Sequence, residues 1–247
     1  MNHKRLYVIA RYNEDISWVE ELQGDIIVYN KGENYRWNFN KIDVENYGRE
    51  SETYVRAIID HYDKLSEYDD IVFLQGYCFD HSPDLMQLLN YTTDDYIGLG
   101  AYFSTHTIPK DGFIFNTHKF LIDVMLRQSH TVDHGHDETK IFSDFSYPMD
   151  HGNGNIIEKS GEIKQLMYVM TIMGIPYKGV SMNWTNGALY TVNTNLLKNK
   201  TLSFWKDLHE LIRYWYVDLE NQDLGYILER LWPVIWKHQN NFSGWKF

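Results

Sequence analysis

The chain has 247 residues, of which 43% are hydrophobic, as is typical of a folded domain and not of a disordered chain. Its net charge of -11 disfavours non-specific nucleic-acid binding, which depends on clustered lysine and arginine. The single cysteine, Cys78, excludes an internal disulfide and a zinc site built from several cysteines.

The same numbers bear on the cellular compartment. The apolar runs are all shorter than the ~20 residues of a membrane-spanning helix, so no transmembrane segment is predicted. The apolar run at residues 6–10 is too short for a secretory signal and has no cleavage site after it. With a single cysteine, these features favour a cytoplasmic protein.

The amino-terminal residues alternate between strand and helix patterns. Residues 6–10 and 25–29 are short apolar runs that predict strands. Between them Ile16, Val19 and Leu22 recur at helical spacing. The order strand, helix, strand predicts two parallel strands joined by a right-handed crossover.

The alternation continues to residue 100. Residues 33–47 have no clear period and predict a loop, and residues 48–63 predict a helix. Residues 70–74 are almost wholly apolar, as expected of a strand covered on both faces. A helix beginning at Ser82 and a strand at 96–100 complete this half.

The remaining residues predict more helix and longer loops. Residues 104–160 hold six of the eleven histidines and predict a long insertion with one helix. A strand is expected at 187–192 and amphipathic helices at 202–216 and 224–236, the last interrupted at Pro233. We therefore expect one domain over residues 1–247, with a nucleotide-binding half at 1–100 and an acceptor half at 101–247.

Polar and charged residues follow the first two strands and precede the next helix. Arg11 lies in the loop after the first strand, and Lys31 with Gly32 ends the second. Arg49 follows a glycine at a helix start, where backbone N–H groups and a guanidinium favour an anion. Each of these motifs also fits plain turn and capping roles.

The segment "IVFLQGYCFDH" places Gln75 and Gly76 where ligands bind in open α/β sheets. Gln75 is a poor ligand for a divalent ion, which prefers carboxylates. His81 lies further along this loop and is a candidate for contact with substrate or metal. Asp80 or Ser82 fits a helix-capping role equally well.

Two more groups of residues suggest chemistry. His130, His134, His136 and His151 lie in a segment with irregular ligand spacing, which favours surface histidines over a metal site. Near the carboxyl terminus, Trp184, Asn186 and Gly187 precede a strand and suit an acceptor-sugar platform. Glu229 is either a general base or the partner of Arg230 in a structural ion pair.

Six motifs in one order resemble an uncharacterised glycosyltransferase-like family, a domain of unknown function. They are "VIARYNEDISWVEEL", "IIVYNKG", "NYGRESETYV", "IVFLQG", "NGALYTV" and "ILERLW", and the resemblance covers residues 6–100 and 180–236. It implies a GT-A-like, Rossmann-like domain, with a mostly parallel sheet flanked by helices. Such a domain binds a nucleotide-diphosphate-sugar and transfers the sugar to a hydroxyl acceptor.

The resemblance also implies site residues. It places the donor nucleotide near Ala10, Arg11, Tyr12 and Glu14, and the phosphates near Lys31 and Arg49. The metal-binding Asp-x-Asp of the GT-A class is expected at 75–77, where this chain has Gln75-Gly76-Tyr77. Dependence on manganese or magnesium is therefore open, and Arg49 and Lys31 are expected to supply part of the positive charge.

Two other functions remain open from the sequence. The missing aspartates fit a non-catalytic protein that binds a nucleotide or carbohydrate on the same scaffold. The histidine-rich middle, residues 130–151, fits a metal-dependent hydrolase, although its irregular spacing makes this the weakest alternative.

Overall fold

The computed structural model describes residues 3–34, 38–101, 103–107, 169–175, 181–218 and 223–237. The chain forms two compact units, Met1–His106 with Met182–Phe242, and Thr107–Ser181 with Ser243–Phe247. Apart from residues 104–107, the predicted insertion at 104–160 lies outside the described residues, as do the histidines at 130–151.

The core of the first unit is a six-stranded sheet, which confirms the α/β class. Eight strands are described in chain order: β1 (Arg5–Arg11), β2 (Asp25–Asn30), β3 (Asn40–Asp43), β4 (Asp70–Gln75), β5 (Tyr96–Gly98), β6 (Phe103–Thr107), β7 (Ser181–Thr185) and β8 (Tyr190–Asn193). The large sheet has the order β3-β2-β1-β4-β8-β5, and β6 pairs with β7 in a separate two-stranded sheet. The predicted parallel pairing of β1 with β2 is confirmed.

The prediction of a mostly parallel sheet was wrong, because the sheet is mixed. Strands β3, β2, β1 and β4 pair in parallel. Strand β8 inserts between β4 and β5 and runs antiparallel to both, with Phe73 opposite Tyr190 and Asp70 opposite Asn193. The start of β8 therefore lies at the same edge of the sheet as the end of β4.

The described helices are α1 (Arg49–Asp60), α2 (Leu85–Leu88), α3 (Thr194–Lys198), α4 (Leu202–Arg213) and α5 (Asp223–Lys237). Helix α4 begins at Thr201, whose hydroxyl accepts a hydrogen bond from the Phe204 N–H at 3.2 Å. Helix α5 continues through Pro233 to Lys237 instead of breaking there. Among the described helices, none has both the length and the apolar character needed to span a bilayer.

Two local predictions were wrong for identifiable reasons. The segment with helical spacing at 16–22 forms one 3-10 turn, Ser17–Glu21, whose buried residue is Val19. The predicted loop at 33–47 contains β3, whose residues alternate little in polarity because it is an edge strand with no buried side chain. An edge strand of this kind leaves no apolar period for a sequence pattern to reveal.

Both faces of the sheet are covered. On one face Tyr7, Ile9, Val72 and Leu74 pack in a cluster with residues of the 3-10 turn and α2. On the other face α1 packs against the strands, and the Tyr54 ring lies 4.8 Å from that of Phe73. Coverage on both faces explains why β1 and β4 are apolar along almost their whole length.

A buried ion pair joins β1 to β4 at the edge opposite the strand ends. Arg5 Nε and Nη2 each donate to one Asp70 carboxylate oxygen at 2.7 Å, and the Asp70 side chain is fully buried. Arg5 also donates to the Leu89 and Tyr91 carbonyls, which fixes the chain after α2. The positive charge of Arg5 and the negative charge of Asp70 are therefore paired inside the protein.

Lys200, which follows α3, is 1% exposed. Among the described residues its ammonium has no hydrogen-bond acceptor, and the Phe204 ring lies 5.6 Å away. Burial lowers the pKa of Lys200 to about 8. Because a buried unpaired ammonium is costly, Lys200 reduces the stability of the fold at neutral pH.

We expect Lys200→Met to raise the free energy of unfolding by about 1–3 kcal/mol at pH 7. Between pH 8 and 10.5 the unfolded chain holds the Lys200 proton more tightly than the folded protein, so wild-type stability rises with pH there. The advantage of the variant should shrink over this window. Urea unfolding at several pH values measures it, with the exposed Lys198→Met as control; equal gains in both variants would contradict the assignment.

Candidate active site

The candidate site lies where the chain reverses direction across the sheet. From β1 the chain passes to β2 and β3 on one side, and then crosses through α1 to β4 on the other side of β1. The loops after β1 and β4 therefore leave the sheet next to each other, and the region between them at the carboxyl edge is called the crevice. Ligands of open α/β sheets bind at such a switch point.

The loops after β1 and β4 are in direct contact at this point. Glu14 Oε2 accepts the Tyr12 N–H at 2.7 Å and lies so close to Gly76 that a Cβ there would be 2.5 Å away. Trp18 Nε1 donates to the Gly76 carbonyl at 2.9 Å. Gly76 is buried, and the close approach of Glu14 requires a glycine at this position.

The segment before β8 brings Gly187 to the same edge. Gly187 has φ of 81°, the left-handed conformation that favours glycine, and a Cβ there would lie 2.8 Å from the His81 ring. Its N–H donates to Glu229 Oε1 at 2.8 Å. Three predicted site residues that are far apart in the sequence therefore lie next to one another in the fold. They are His81, Gly187 and Glu229.

The loop that carries His81 is held in place by backbone contacts. The Ala101 N–H donates to the His81 carbonyl at 2.7 Å. The Ser82 hydroxyl donates to the Leu99 carbonyl at 2.5 Å. These bonds fix the loop against β5 and set the position of the imidazole next to Gly187.

The protein environment makes the Glu229 carboxyl harder to deprotonate than it would be in water. Burial raises the pKa of Glu229, and the Arg230 charge and the Gly187 N–H offset part of that effect. Burial also raises the pKa of Glu50, and the negative charge of Glu229 adds to it. A carboxylate of raised pKa is a stronger base than an exposed one, as general-base catalysis requires.

A cation lies on the same helix face as Glu229. The Arg49 guanidinium lies 4.5 Å over the Tyr226 ring, and Tyr226 precedes Glu229 by three residues on α5. Gly225 allows this approach, since a Cβ there would lie 3.3 Å from Arg49 Cδ. Arg49 is exposed at the first position of α1, where the helix dipole also favours an anion.

The expectation that Lys31 contacts a phosphate gains no support, because its ammonium is held inside the protein. Its side chain is 4% exposed and its ammonium lies 2.9 Å from Glu52 Oε2. It also donates to the Tyr47 carbonyl at 2.6 Å and to the Arg49 carbonyl. These three acceptors use the three N–H groups of the ammonium, so Lys31 fixes the start of α1 from inside.

Glu52 is the centre of this buried cluster. It is fully buried, and Arg56 and His209 also reach its carboxylate, at 2.6 and 2.9 Å. Although burial alone raises the pKa of Glu52, the His209 hydrogen bond and the Lys31 charge lower it to about 2. The cluster therefore keeps a charged carboxylate inside the protein and joins β2, α1 and α4.

Arg11 also has a structural role. It is 7% exposed and donates to the carbonyls of Tyr12, Glu14 and Glu33 at 2.9–3.0 Å. It donates to Asn30 Oδ1 as well. The structure thus uses Arg11 to shape the loop after β1, and the predicted contact of its side chain with a donor nucleotide gains no support.

The remaining predicted residues lie at the same edge or outside the described side chains. Ala10 pairs with Gln75 across β1 and β4, directly before the crevice. The backbones of Trp184 and Asn186 lie in β7 and the 3-10 turn Asn186–Ala188. Their side chains are not among those described, so the predicted acceptor platform remains a prediction for these two residues.

Sequence reasoning missed two exposed rings. Tyr77 is 51% exposed immediately after β4, and Tyr226 is 39% exposed under Arg49. An aromatic residue directly after a buried strand is the available signal for Tyr77. Tyr226 could have been found from its spacing of three residues before Glu229 on a predicted helix.

The residues after β4 do not fit a divalent ion. Gln75 and Gly76 supply no carboxylate, the ligand that magnesium or manganese prefers. In the described part of the chain, no three His, Cys, Asp or Glu side chains group as metal ligands.

Comparison with known proteins gives one similarity. The sequence profile of a family described as "Protein of unknown function (DUF3431)" matches residues 7–115. No curated protein and no solved structure matches the chain significantly. The matched segment begins within β1 and covers β2 to β5, and so includes the loops after β1 and β4.

Proposed function

We propose that the chain is a glycosyltransferase with a GT-A-like domain. It would move a sugar from a nucleotide-diphosphate-sugar to a hydroxyl acceptor in the cytoplasm. One observation carries the proposal: His81, Gly187 and Glu229 meet at the carboxyl edge of the sheet, with Arg49 on the same side of α5. A base beside an exposed cation is what displacement of a diphosphate requires.

The proposed roles follow from chemistry. The Glu229 carboxylate accepts the proton of the acceptor hydroxyl as its oxygen bonds to the sugar C1. The bond from C1 to the diphosphate oxygen breaks, and the nucleoside diphosphate leaves with the electron pair. Arg49 stabilises the negative charge that develops on the leaving oxygen, and His81 borders the acceptor side of this space.

Arg49 tests the donor half of the proposal. We expect Arg49→Ala to weaken binding of the preferred nucleoside diphosphate by about 10- to 100-fold, because a charge-assisted contact is lost. Arg49→Lys should retain part of the affinity, since it keeps the charge but not the planar fork. Isothermal titration calorimetry without added metal measures both.

Arg213→Ala is the matched control, because Arg213 is an exposed arginine whose guanidinium pairs with Asp218 at 3.3 Å. Its affinity should equal that of the wild type. Equal affinity in Arg49→Ala would overturn the role of Arg49.

The absent Asp-x-Asp specifically favours a second function, a nucleotide- or carbohydrate-binding protein without catalysis. The two differ in one measurement. A transferase releases nucleoside diphosphate from its donor when an acceptor is present, and a binding protein does not.

A further inference from the structure

Two tyrosine rings flank the switch point on its solvent side. Tyr12 follows β1 and is 50% exposed, and Tyr77 follows β4 and is 51% exposed. Large aromatic side chains at such exposure are rare among the described residues, where five large hydrophobic side chains are exposed. Two of the five, Tyr12 and Tyr77, lie in the two loops of the crevice, where exposed rings offer surfaces on which a flat ligand can stack.

The Tyr77 ring is supported from beneath. It packs edge-on against Phe79 with ring centroids 5.7 Å apart, and Phe79 packs against Trp18 at 5.4 Å. Trp18 is itself fixed by its hydrogen bond to the Gly76 carbonyl. The exposed ring is thus held by a chain of packed rings, as a stacking surface requires.

Glu14 supplies the polar group between these loops. Its Oε2 is fixed by the Tyr12 N–H at 2.7 Å, and its side chain packs against Gly76. Among the described residues no donor reaches its second oxygen, Oε1. A carboxylate accepts hydrogen bonds and donates none, so a ligand group that pairs with Oε1 presents N–H or O–H donors.

We propose that this crevice binds the base of a guanine nucleotide, with the ring against Tyr12 and Tyr77 and its N1–H and 2-amino group donating to Glu14. The inference rests on the proposed function and names the base of its donor.

The hydrogen-bonding edges of the bases support this choice. Guanine presents two adjacent donors, N1–H and the 2-amino group. Adenine and cytosine present one donor beside a ring-nitrogen acceptor, and uracil has one donor between two carbonyls. A carboxylate repels those acceptors, and a base that leaves polar groups unpaired binds less tightly.

Calorimetry of the whole chain with GDP, IDP, UDP and ADP tests the proposal. We expect GDP to bind at least about 10-fold more tightly than UDP or ADP. IDP lacks the 2-amino group and should bind about 10-fold more weakly than GDP, since one hydrogen bond to the carboxylate is lost.

Glu14→Gln provides the decisive variant. Its amide oxygen can still accept the Tyr12 N–H, which preserves the loop, but its NH2 then faces the guanine donors. We expect GDP affinity to fall about 10- to 100-fold and the difference between GDP and IDP to disappear. Glu20→Gln, an exposed glutamate on the adjacent turn, should bind like the wild type, and equal thermal unfolding confirms that both variants fold.

The outcomes separate the two proposals. Tighter binding of UDP or ADP than GDP, with loss on Arg49→Ala, would overturn the guanine assignment and leave the transferase proposal standing. An unchanged preference for GDP in Glu14→Gln would overturn the role of Glu14. If none of the four nucleotides bound, the proposed function would fail and the guanine site with it.

Discussion

Replacing Arg5 with Met is expected to lower the free energy of unfolding by about 3–5 kcal/mol. The variant leaves the Asp70 carboxylate fully buried, with the His3 ring nitrogen, 2.8 Å away, as its remaining side-chain partner. It also leaves the Leu89 and Tyr91 carbonyls without the guanidinium donor. Uncompensated buried charge is among the costliest single changes in a protein.

The size of this effect is measured by urea unfolding followed by tryptophan fluorescence. Lys4→Met is the matched control, because Lys4 is half-exposed and lies 3.7 Å from Asp25 in a surface pair; a change within about 1 kcal/mol is expected. The double variant Arg5→Met with Asp70→Leu should recover part of the loss, since no charge is then buried. A single variant as stable as Lys4→Met would show that the pair is not a main support of the sheet.

Glu229→Gln is expected to lower the turnover of donor by about 10²- to 10⁴-fold, the range for loss of a general base. The amide keeps an oxygen that can accept the Gly187 N–H, so the local structure should remain. Nucleoside diphosphate affinity should also remain, since Arg49 is unchanged. The measurement is release of nucleoside diphosphate from the donor in the presence of acceptor.

The pH profile adds a second test of the same role. A general base acts when deprotonated, so wild-type turnover should fall as pH drops through the pKa of Glu229, which burial raises above the ordinary glutamate value. This acid limb should be absent from the residual activity of Glu229→Gln. Glu210→Gln, an exposed change on α4, should keep both rate and profile; equal turnover in Glu229→Gln would refute the base assignment.

The strands with strong apolar patterns were predictable from the sequence. β1, β2, β4, β5 and β8 and the long helices α1, α4 and α5 lie within a few residues of their expected places. β3 was missed because an edge strand buries no side chain. The direction of β8 could not be predicted, because a long connection after β5 allows the chain to return either way.

The candidate site was also predictable only in part. Strand ends and glycines predicted a site at the carboxyl edge of the sheet, and the fold brings His81, Gly187 and Glu229 together there. The cations were harder to predict, because the role of a lysine depends on the charge that it meets across the fold. Lys31 pairs with Glu52, and His209, 157 residues further along the chain, contacts the same carboxylate. A local sequence pattern does not predict contacts between residues so far apart.

The connection between β4 and β5 is tied down at both edges of the sheet. Ser82 and Ala101 fix it beside the crevice, and Arg5 fixes it at the opposite edge through Leu89 and Tyr91. A loop held in this way has lost its conformational entropy during folding, before any ligand arrives. If a ligand binds at Tyr77 and His81, as proposed, most of its interaction energy would remain as affinity, because little would be consumed in ordering the loop.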